Sequence, residues 1–553
     1  MKNNNIYECN SCDYKTHDKS SLILANEDEY DHHKSLGHTV KIRQEQVNTE
    51  QTTEKLAKFA TPKMQQIVIS DSDSTRVFVK VKINNHVETM ELDEKNSKTL
   101  GWLRVAYWNE SKKMVSNETC ASVIGFLKQK TLMDESSKTE NVPLRCAYVD
   151  NEIYYDFGRT DWQLIKISAN EIKFVDYGID SPFFIRTNKT GIQTIPNLRP
   201  DGNSLDELVK LIKVPNPEMF KVHLISMFID GLPMPCFAIR GHAGSAKSST
   251  SSMIKRIVDP IGNSNDSNLK SFPHGEDNFV VSLSGSYLSA FENISYIDKT
   301  TSNMLCRAIT GGSFEKRGQY TNGDVFSINI KRKILINGID FQIKESDLLD
   351  RTIQYSLKRI PKEQRLSEKK IGKIFQKLLP DILGEIFLIL QKVLKIIDSV
   401  EDSLPYTERM SDFTIFGEAI YQSMGHKEGE FSRLYDSELK TYLQNLHDSN
   451  PIVKFCEEIL GDNDEIEMTA EQVFKKISEI AFRENYSDGG LPKSANGVRA
   501  WVDKSKSLLD MCHIDISSYQ NTISKKISGF TPHSTIYVIR RVVSVQIKLE
   551  GID

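Results

Sequence analysis

RGHAGSAKSSTSSMIKRIVDP, residues Arg240 to Pro260, carries most of what this sequence says about its own architecture. Gly241, Gly244, Lys247 and Ser248 stand at the spacing of the phosphate-loop pattern G-x-x-x-x-G-K-[ST], with Ala246 where the pattern has a glycine. That pattern needs a tight loop whose backbone N–H groups converge on phosphate oxygens. It also needs a lysine that reaches the terminal phosphates and a hydroxyl that holds Mg2+. The flanks agree. Phe237, Ala238 and Ile239 predict a buried strand before the loop, and SSTSSMIKRIV predicts a helix after it, closed by Asp259–Pro260. The first turn of that helix would aim partial positive charge at the phosphates. The predicted nucleotide-binding set is therefore Gly241, Gly244, Ser245, Ala246, Lys247, Ser248 and Ser249. The competing reading is a plain glycine-rich turn, and Ala246 favours it only if that position needs a conformation that a Cβ resists.

A phosphate loop needs partners on neighbouring strands. SYLSAFENIS predicts a second strand ending in Glu292, an acid placed to hold the Mg2+ shell or to orient an attacking water. RKILINGID predicts a third, ending in Asn337, whose amide would contact the γ-phosphate or the water as the sensor of ring ATPases does. Alone, Asn337 before Gly338 also reads as a strand-ending turn. ESDLLDRTIQYSL sets Arg351 between a short helix and a strand. That is the place of an arginine finger offered to a neighbouring subunit, or of a surface salt bridge to Asp347 or Asp350.

The rest of the chain bounds these readings. Its 553 residues exceed one ordinary core, so several domains are expected. With 39% apolar and 26% charged residues, the composition is that of a globular protein. The net charge is −4, so a nucleic-acid footprint would have to be local to one face or domain. The longest apolar run, ILGEIFLILQKVLKII from Ile382, is interrupted by Glu385, Gln391, Lys392 and Lys395 and predicts an amphipathic helix rather than a membrane span. MKNNNIYECN has no apolar signal core, and Cys120, Cys146, Cys236, Cys306, Cys456 and Cys512 are scattered like buried thiols, so a cytoplasmic protein is expected.

Texture divides the sequence into a Cys- and His-rich unit at 1–45, a polar linker at 46–65 and a β-rich α+β domain at 66–200. An alternating strand–helix region at 201–400 follows, then a helical connector at 401–450 and a tail at 451–553. In the first unit Cys9-x2-Cys12 with His33 and His38 (or His32 in place of His33) makes a tetrahedral zinc set, although the Cys-to-His gap is long. A unit that small would need the metal to fold.

The stretches EIYYDFGRTDWQLIKI, GHAGSAKSSTSSMIKRIVDP, AFENIS, LCRAITGGSFEKRGQYT, RKILINGID, DLLDRTIQYSL and RMSDFTIFGEAI occur in that order. In them the chain, from about residue 144 onward, resembles a family of bacterial, phage and mobile-element ATP-binding proteins. These are helicases and primase-associated ATPases similar to the superfamily three viral helicases and the poxvirus-type primase-helicases. The family commonly carries alanine before the lysine, so Ala246 follows its pattern; it usually has Asp-Asn where this chain has Glu292–Asn293.

The resemblance implies ATP as substrate, with Lys247, Glu292, Asn337 and Arg351 as catalytic residues and Ser248 and Glu292 on Mg2+. It implies a hairpin from Tyr320 to Lys333, with Lys331, Arg332 and Lys333 on a DNA strand inside a ring, hexameric by analogy. The tail, with SANGVRAWVDKSKSLL carrying Arg499, Lys504 and Lys506, resembles a winged-helix domain. The expected fold is thus an α/β P-loop NTPase core of AAA+ and superfamily three helicase type. A zinc finger, a β-rich α+β domain and a winged-helix-like tail would surround it. The expected function is an ATP-hydrolysing DNA motor, a replicative helicase of a mobile element or virus working as a homo-oligomer on single-stranded or forked DNA and with no membrane partner. The alternatives are an ATP-dependent DNA-binding switch that does not unwind and a binding protein with a degenerate site.

Overall fold

The structure, a computed structural model, describes residues 5–9, 22–24, 31, 34–37, 40–44, 49–262, 269–317, 325–339, 341, 343, 345–404, 410–438, 451–484, 486, 491–512, 514–520 and 534–542. Its contacts divide the chain into two compact units, Met1–Val142 with Tyr177–Phe183, and Pro143–Asp176 with Phe184–Asp553.

In the first unit β1 (Asn5–Cys9), β2 (Leu22–Leu24) and β3 (Val40–Gln44) form a small antiparallel sheet. Cys9 ends β1 with its side chain undescribed, and the other expected zinc ligands, Cys12, His33 (or His32) and His38, lie outside the described residues. After α1 (Thr49–Ala60), β4 (Met64–Ser70), β5 (Val77–Ile83), β6 (His86–Glu91) and β7 (Thr139–Glu140) make a second sheet in the order β6-β5-β4-β7, with α2 (Ser97–Ser111) and α3 (Asn117–Met133). The alternation of TRVFVKVKI predicts a half-buried strand, but β5 is buried on both faces as far as Val81. Its Lys80 is fully buried. The ammonium donates to the carbonyls of Ile179 (2.8 Å) and Ser181 and lies 4.5 Å from the centre of the Phe183 ring. Burial lowers its pKa to about 8.

The second unit opens with an antiparallel meander of β8 (Cys146–Val149), β9 (Glu152–Asp156), β10 (Gln163–Ile167) and β11 (Ile172–Asp176). The YYDFG…W stretch builds its corner. Arg186 forks onto the buried Asp156 (2.7 and 2.5 Å) and stacks 3.8 Å over Trp162. The helices α4 (Ser204–Ile212) and α5 (Pro217–Ser226) precede β12 (Cys236–Arg240), α6 (Lys247–Val258), β13 (Lys270–Ser271), α7 (Glu276–Ser284) and β14 (Leu288–Glu292). Next come α8 (Lys299–Thr310), an antiparallel ribbon of β15 (Gly312–Arg317) and β16 (Val325–Ile330), β17 (Lys333–Gly338), α9 (Ser346–Leu349) and β18 (Thr352–Ser356). Strands β13, β14, β17, β12 and β18, in that spatial order, form a wholly parallel sheet.

The apolar run from Ile382 lies in α10 (Glu368–Ser403), an amphipathic helix with Pro380 inside it. The Pro380 carbonyl accepts from Asn197 N–H (2.8 Å), and this crossing is so close that a Cβ on Gly384 would fall 1.7 Å from the Asn197 backbone oxygen. No helix among the described residues is long and apolar enough to cross a membrane. In α11 (Ser411–Ser423), within the RMSDFTIFGEAI stretch, the fully buried Glu418 accepts from the N–H groups of Gly429 (2.6 Å) and Ser432 (3.2 Å), which ties the helix to the segment after it. The tail runs α12 (Pro451–Leu460), β19 (Glu465–Thr469), α13 (Ala470–Arg483), α14 (Val498–Met511), β20 (Ile514–Gln520) and β21 (Thr535–Arg541), with the sheet ordered β19-β21-β20.

The stretch 66–200, expected as one domain, is divided at Pro143. The reason is one apolar core in which Ile153, Tyr155 and Ile165 of the meander pack with Phe228, Ile254 and Phe387. A buried charge cluster adds to it. Asp259 accepts from Arg145 (3.1 Å), Lys255 (2.6 Å) and the N–H groups of Tyr287 and Leu288 (3.0 and 3.1 Å). Burial opposes its ionisation, but the charges of Lys255 and Arg145 outweigh burial and hold its pKa below the usual range. Asp259→Ala is expected to cost about 3–5 kcal/mol in urea unfolding, because two cations and two N–H groups would be left buried without it. A cost under about 1 kcal/mol would show that the cluster does not organise the unit.

Candidate nucleotide site

The phosphate-loop stretch folds as its spacing predicts. The buried strand β12 delivers Gly241 to the carboxyl edge of the sheet, and α6 starts at Lys247. Gly241 (φ 153°) has no room for a side chain, since a Cβ would meet the Leu357 carbonyl at 2.5 Å. Ala246 is the N-cap of α6 and sits in the left-handed region at φ 62°, ψ 25°, where an L-residue carries about 1–2 kcal/mol of strain. Its methyl offers no side-chain cap, so the first turn of α6 presents N–H groups to the loop with no capping oxygen in front of them. Lys247 donates to the His242 carbonyl (3.0 Å), and Ser248 is exposed at the loop while Ser249 is half-buried behind it. The Ser245 hydroxyl is buried beneath the loop with no hydrogen-bond partner among the described residues. Uncapped N–H groups, a lysine and an exposed hydroxyl on one turn fit a phosphate with its Mg2+.

Glu292 and Asn337 lie level with this loop. The register pairs Ile239 with Asn337 and Phe291 with Ile336, so the ends of β12, β17 and β14 stand side by side. Asn337 is 1% exposed; its amide donates to Ser251 Oγ on α6 (2.9 Å) and its oxygen accepts from Asn293 N–H (3.3 Å). The Asn337 carbonyl accepts from Ile294 N–H (2.9 Å). A Cβ on Gly338 would fall 2.0 Å from the Ile294 oxygen, so the glycine is what lets the two strand ends approach. Ser251 escapes sequence reading, and Asn293, read only as half of the Glu292–Asn293 pair, was given no contact with Asn337. A serine one helical turn beyond the lysine looks like any other until β17 is known to lie beside it.

Arg351 belongs to the opposite edge. Thr352 pairs with Cys236 at the start of β12, and the five residues of that strand put roughly 13–17 Å between the edges. Its guanidinium is held by the Asp347 carboxylate and carbonyl, the salt bridge that the sequence offered as the alternative. It is therefore not part of its own chain's loop site.

The basic trio also differs from expectation. Lys331, Arg332 and Lys333 follow the base of the β15–β16 ribbon, where Gly312 pairs with Ile330. Lys333 is 5% exposed and donates to the Leu232 carbonyl (2.7 Å), with burial lowering its pKa to about 8, so it is not available to a strand. Lys331 is exposed and bonded to the Gly231 carbonyl, and Arg332 is half-buried and bonded to the Leu283 carbonyl. A count of charges along KRK could not show that β17 starts inside a buried parallel sheet. Tyr320 and the TNGD stretch lie outside the described residues.

Residues 205–429 match the family model of the actinomycete integrative conjugative element replication protein. No curated protein matches the chain. Among solved structures, the A-form apo structure of the NrS-1 C-terminal region matches 88% of this chain and 98% of its own at 12% identity, with a TM-score of 0.36. The structure of JCV helicase with a thiazolopyridinyl-phenoxyphenyl acetamide bound matches 45% of this chain and 64% of its own at 13% identity, with a TM-score of 0.23.

Two substitutions check the loop geometry in urea unfolding. Ala246→Gly should change stability by less than about 1 kcal/mol, because relief of strain is offset by a more flexible unfolded chain. Gly338→Ala should cost about 2 kcal/mol or more, because a backbone oxygen cannot step aside.

Proposed function

We propose that this chain is an ATP-hydrolysing motor that acts on DNA during replication of a mobile genetic element. The observation that carries the reading is the level placement of the loop, Glu292 and Asn337 at one edge of a parallel sheet. In this reading the N–H groups around Ala246 and the Lys247 ammonium bind the phosphates, and Ser248 and Glu292 would hold Mg2+, which when bound would supply positive charge beside the phosphoryl group. Glu292 also orients water, and Asn337, fixed by Ser251 and Asn293, contacts the terminal phosphate.

The match of residues 205–429 to a replication protein supports the assignment to replication. Placement of Arg351 at the far edge supports a homo-oligomeric ring, since that side chain meets a nucleotide only if the nucleotide sits on a neighbouring copy. The β15–β16 ribbon supports contact with a DNA strand in such a ring. The tail order helix–strand–helix–helix–strand–strand is that of a winged helix, which supports α14, with Arg499 and Lys506 exposed, as a DNA-facing element. Cys9, Cys12, His33 and His38 are proposed to hold a structural Zn2+.

Three measurements test this. ATP hydrolysis by the full chain should rise with single-stranded DNA, and Lys247→Ala should abolish it. Asn337→Ala should lower kcat at least about tenfold while nucleotide affinity stays within about twofold. Hydrolysis indifferent to DNA would leave a nucleotide-binding switch in place of a motor. For the metal, the purified chain should contain one zinc per molecule, lost in Cys9→Ser with Cys12→Ser; equal zinc in that variant would remove the N-terminal site.

A further inference from the structure

The segment that leaves β18 runs back over the phosphate loop. Leu357 N–H donates to the Arg240 carbonyl (2.8 Å) and Ile360 N–H to the Gly244 carbonyl (3.3 Å), so it is stitched to both ends of the loop's first half. A 3-10 turn, Lys362–Gln364, then reverses the chain and is held from outside by Lys213, which donates to Gln364 Oε1 (2.7 Å). The residue delivered by this turn is Arg365. Its Nε donates to the Ile360 carbonyl (3.0 Å), which points the rest of the guanidinium at the loop. A Cβ built on Gly244 would meet Nη2 at 2.9 Å and Cζ at 3.4 Å. Gly244, at φ +79°, is thus required twice, for its backbone angle and for the space the arginine occupies.

Several other arginines of this unit are engaged elsewhere. Arg240 donates to Gln354, Arg307 to Glu276 and Arg351 to Asp347. Arg365 is exposed, and among the described residues its Nη groups have no carboxylate within ion-pair distance. Lys358, Arg359 and Lys362, also exposed, add positive charge to the same segment.

We propose that Arg365 binds the phosphate chain of the nucleoside triphosphate held by its own subunit's loop, its two Nη groups donating to phosphate oxygens above Gly244. This rests on the phosphate-loop reading above. It gives the site two arginines of opposite origin: Arg365 from the same chain, anchored to the loop backbone, and Arg351, which reaches a nucleotide only across a subunit boundary. A planar fork suits paired phosphate oxygens, and the Ile360 carbonyl fixes its orientation beforehand, so little rotamer freedom is lost on binding.

Calorimetry of the full chain with the non-hydrolysable triphosphate AMP-PNP and Mg2+, and with AMP, separates the possibilities. Arg365→Ala should weaken AMP-PNP binding at least about tenfold, the size of a charge-assisted hydrogen bond, while AMP affinity and the unfolding midpoint without nucleotide stay unchanged. Arg365→Lys should recover part of the loss, and Arg359→Ala should weaken binding no more than about threefold. The proposal is overturned if Arg365→Ala binds AMP-PNP normally while Lys247→Ala does not, which leaves the phosphate-loop reading intact. It is also overturned if Arg359→Ala matches the loss, which would mean a diffuse positive field, or if AMP is weakened equally. Failure of the unsubstituted chain to bind AMP-PNP would remove the phosphate-loop reading and the role of Arg365 with it.

Discussion

Asp259 joins the meander, the loop helix and β14 at one buried point. One buried carboxylate at the C-terminal end of the loop helix receives a guanidinium from the meander, an ammonium from its own helix and two N–H groups from the start of β14. Removing any partner would leave charge in a medium that solvates it poorly, so the geometry is enforced by the cost of breaking it more than by any net gain from forming it. The consequence reaches the loop. Asp259, twelve residues beyond Lys247, ties the far end of α6 to the start of β14, the strand that ends in Glu292.

The same unit holds local backbone strain at the edge that carries the candidate site. Ala246 and Asn293 both adopt left-handed backbone angles, one at the entrance to α6 and the other just past the Glu292 carboxylate. Strained residues persist when their surroundings over-determine them. Here those surroundings are a parallel sheet and the Asn337 side chain, which bonds to α6 on one side and to the residue after Glu292 on the other.

What the sequence disclosed and what it withheld follow from range. The loop, its strand and its helix were legible because Gly241, Gly244 and Lys247 follow a short pattern of fixed spacing, and the flanking apolar residues agree with it. Glu292 and Asn337 were legible as strand ends, since apolar runs stop there. That these ends stand level was not legible, because parallel pairing joins segments far apart in the chain. Lys333 and Lys80 were misread for a related reason: alternation and charge counting assume one wet face, and both lysines sit on strands covered on two sides. Arg365 carried no local signal at all. It reaches Gly244 only because β18 lies next to β12 and a 3-10 turn then folds the chain back.

The cap on the far end of the loop helix also sets how short a fragment containing the loop can be. The last carbonyls of α6 are taken by residues well upstream: Gln193 donates to the carbonyls of Arg256 (3.1 Å) and Ile257 (2.9 Å), and Tyr155 to that of Val258 (3.0 Å). A recombination breakpoint at residue 200, where sequence texture changes, would separate the helix from its own caps and from Arg145. A fragment that keeps the loop helix capped must therefore begin before β8, near Pro143, and carry the four strands along with the loop, although residues 177–183 pack with the first unit.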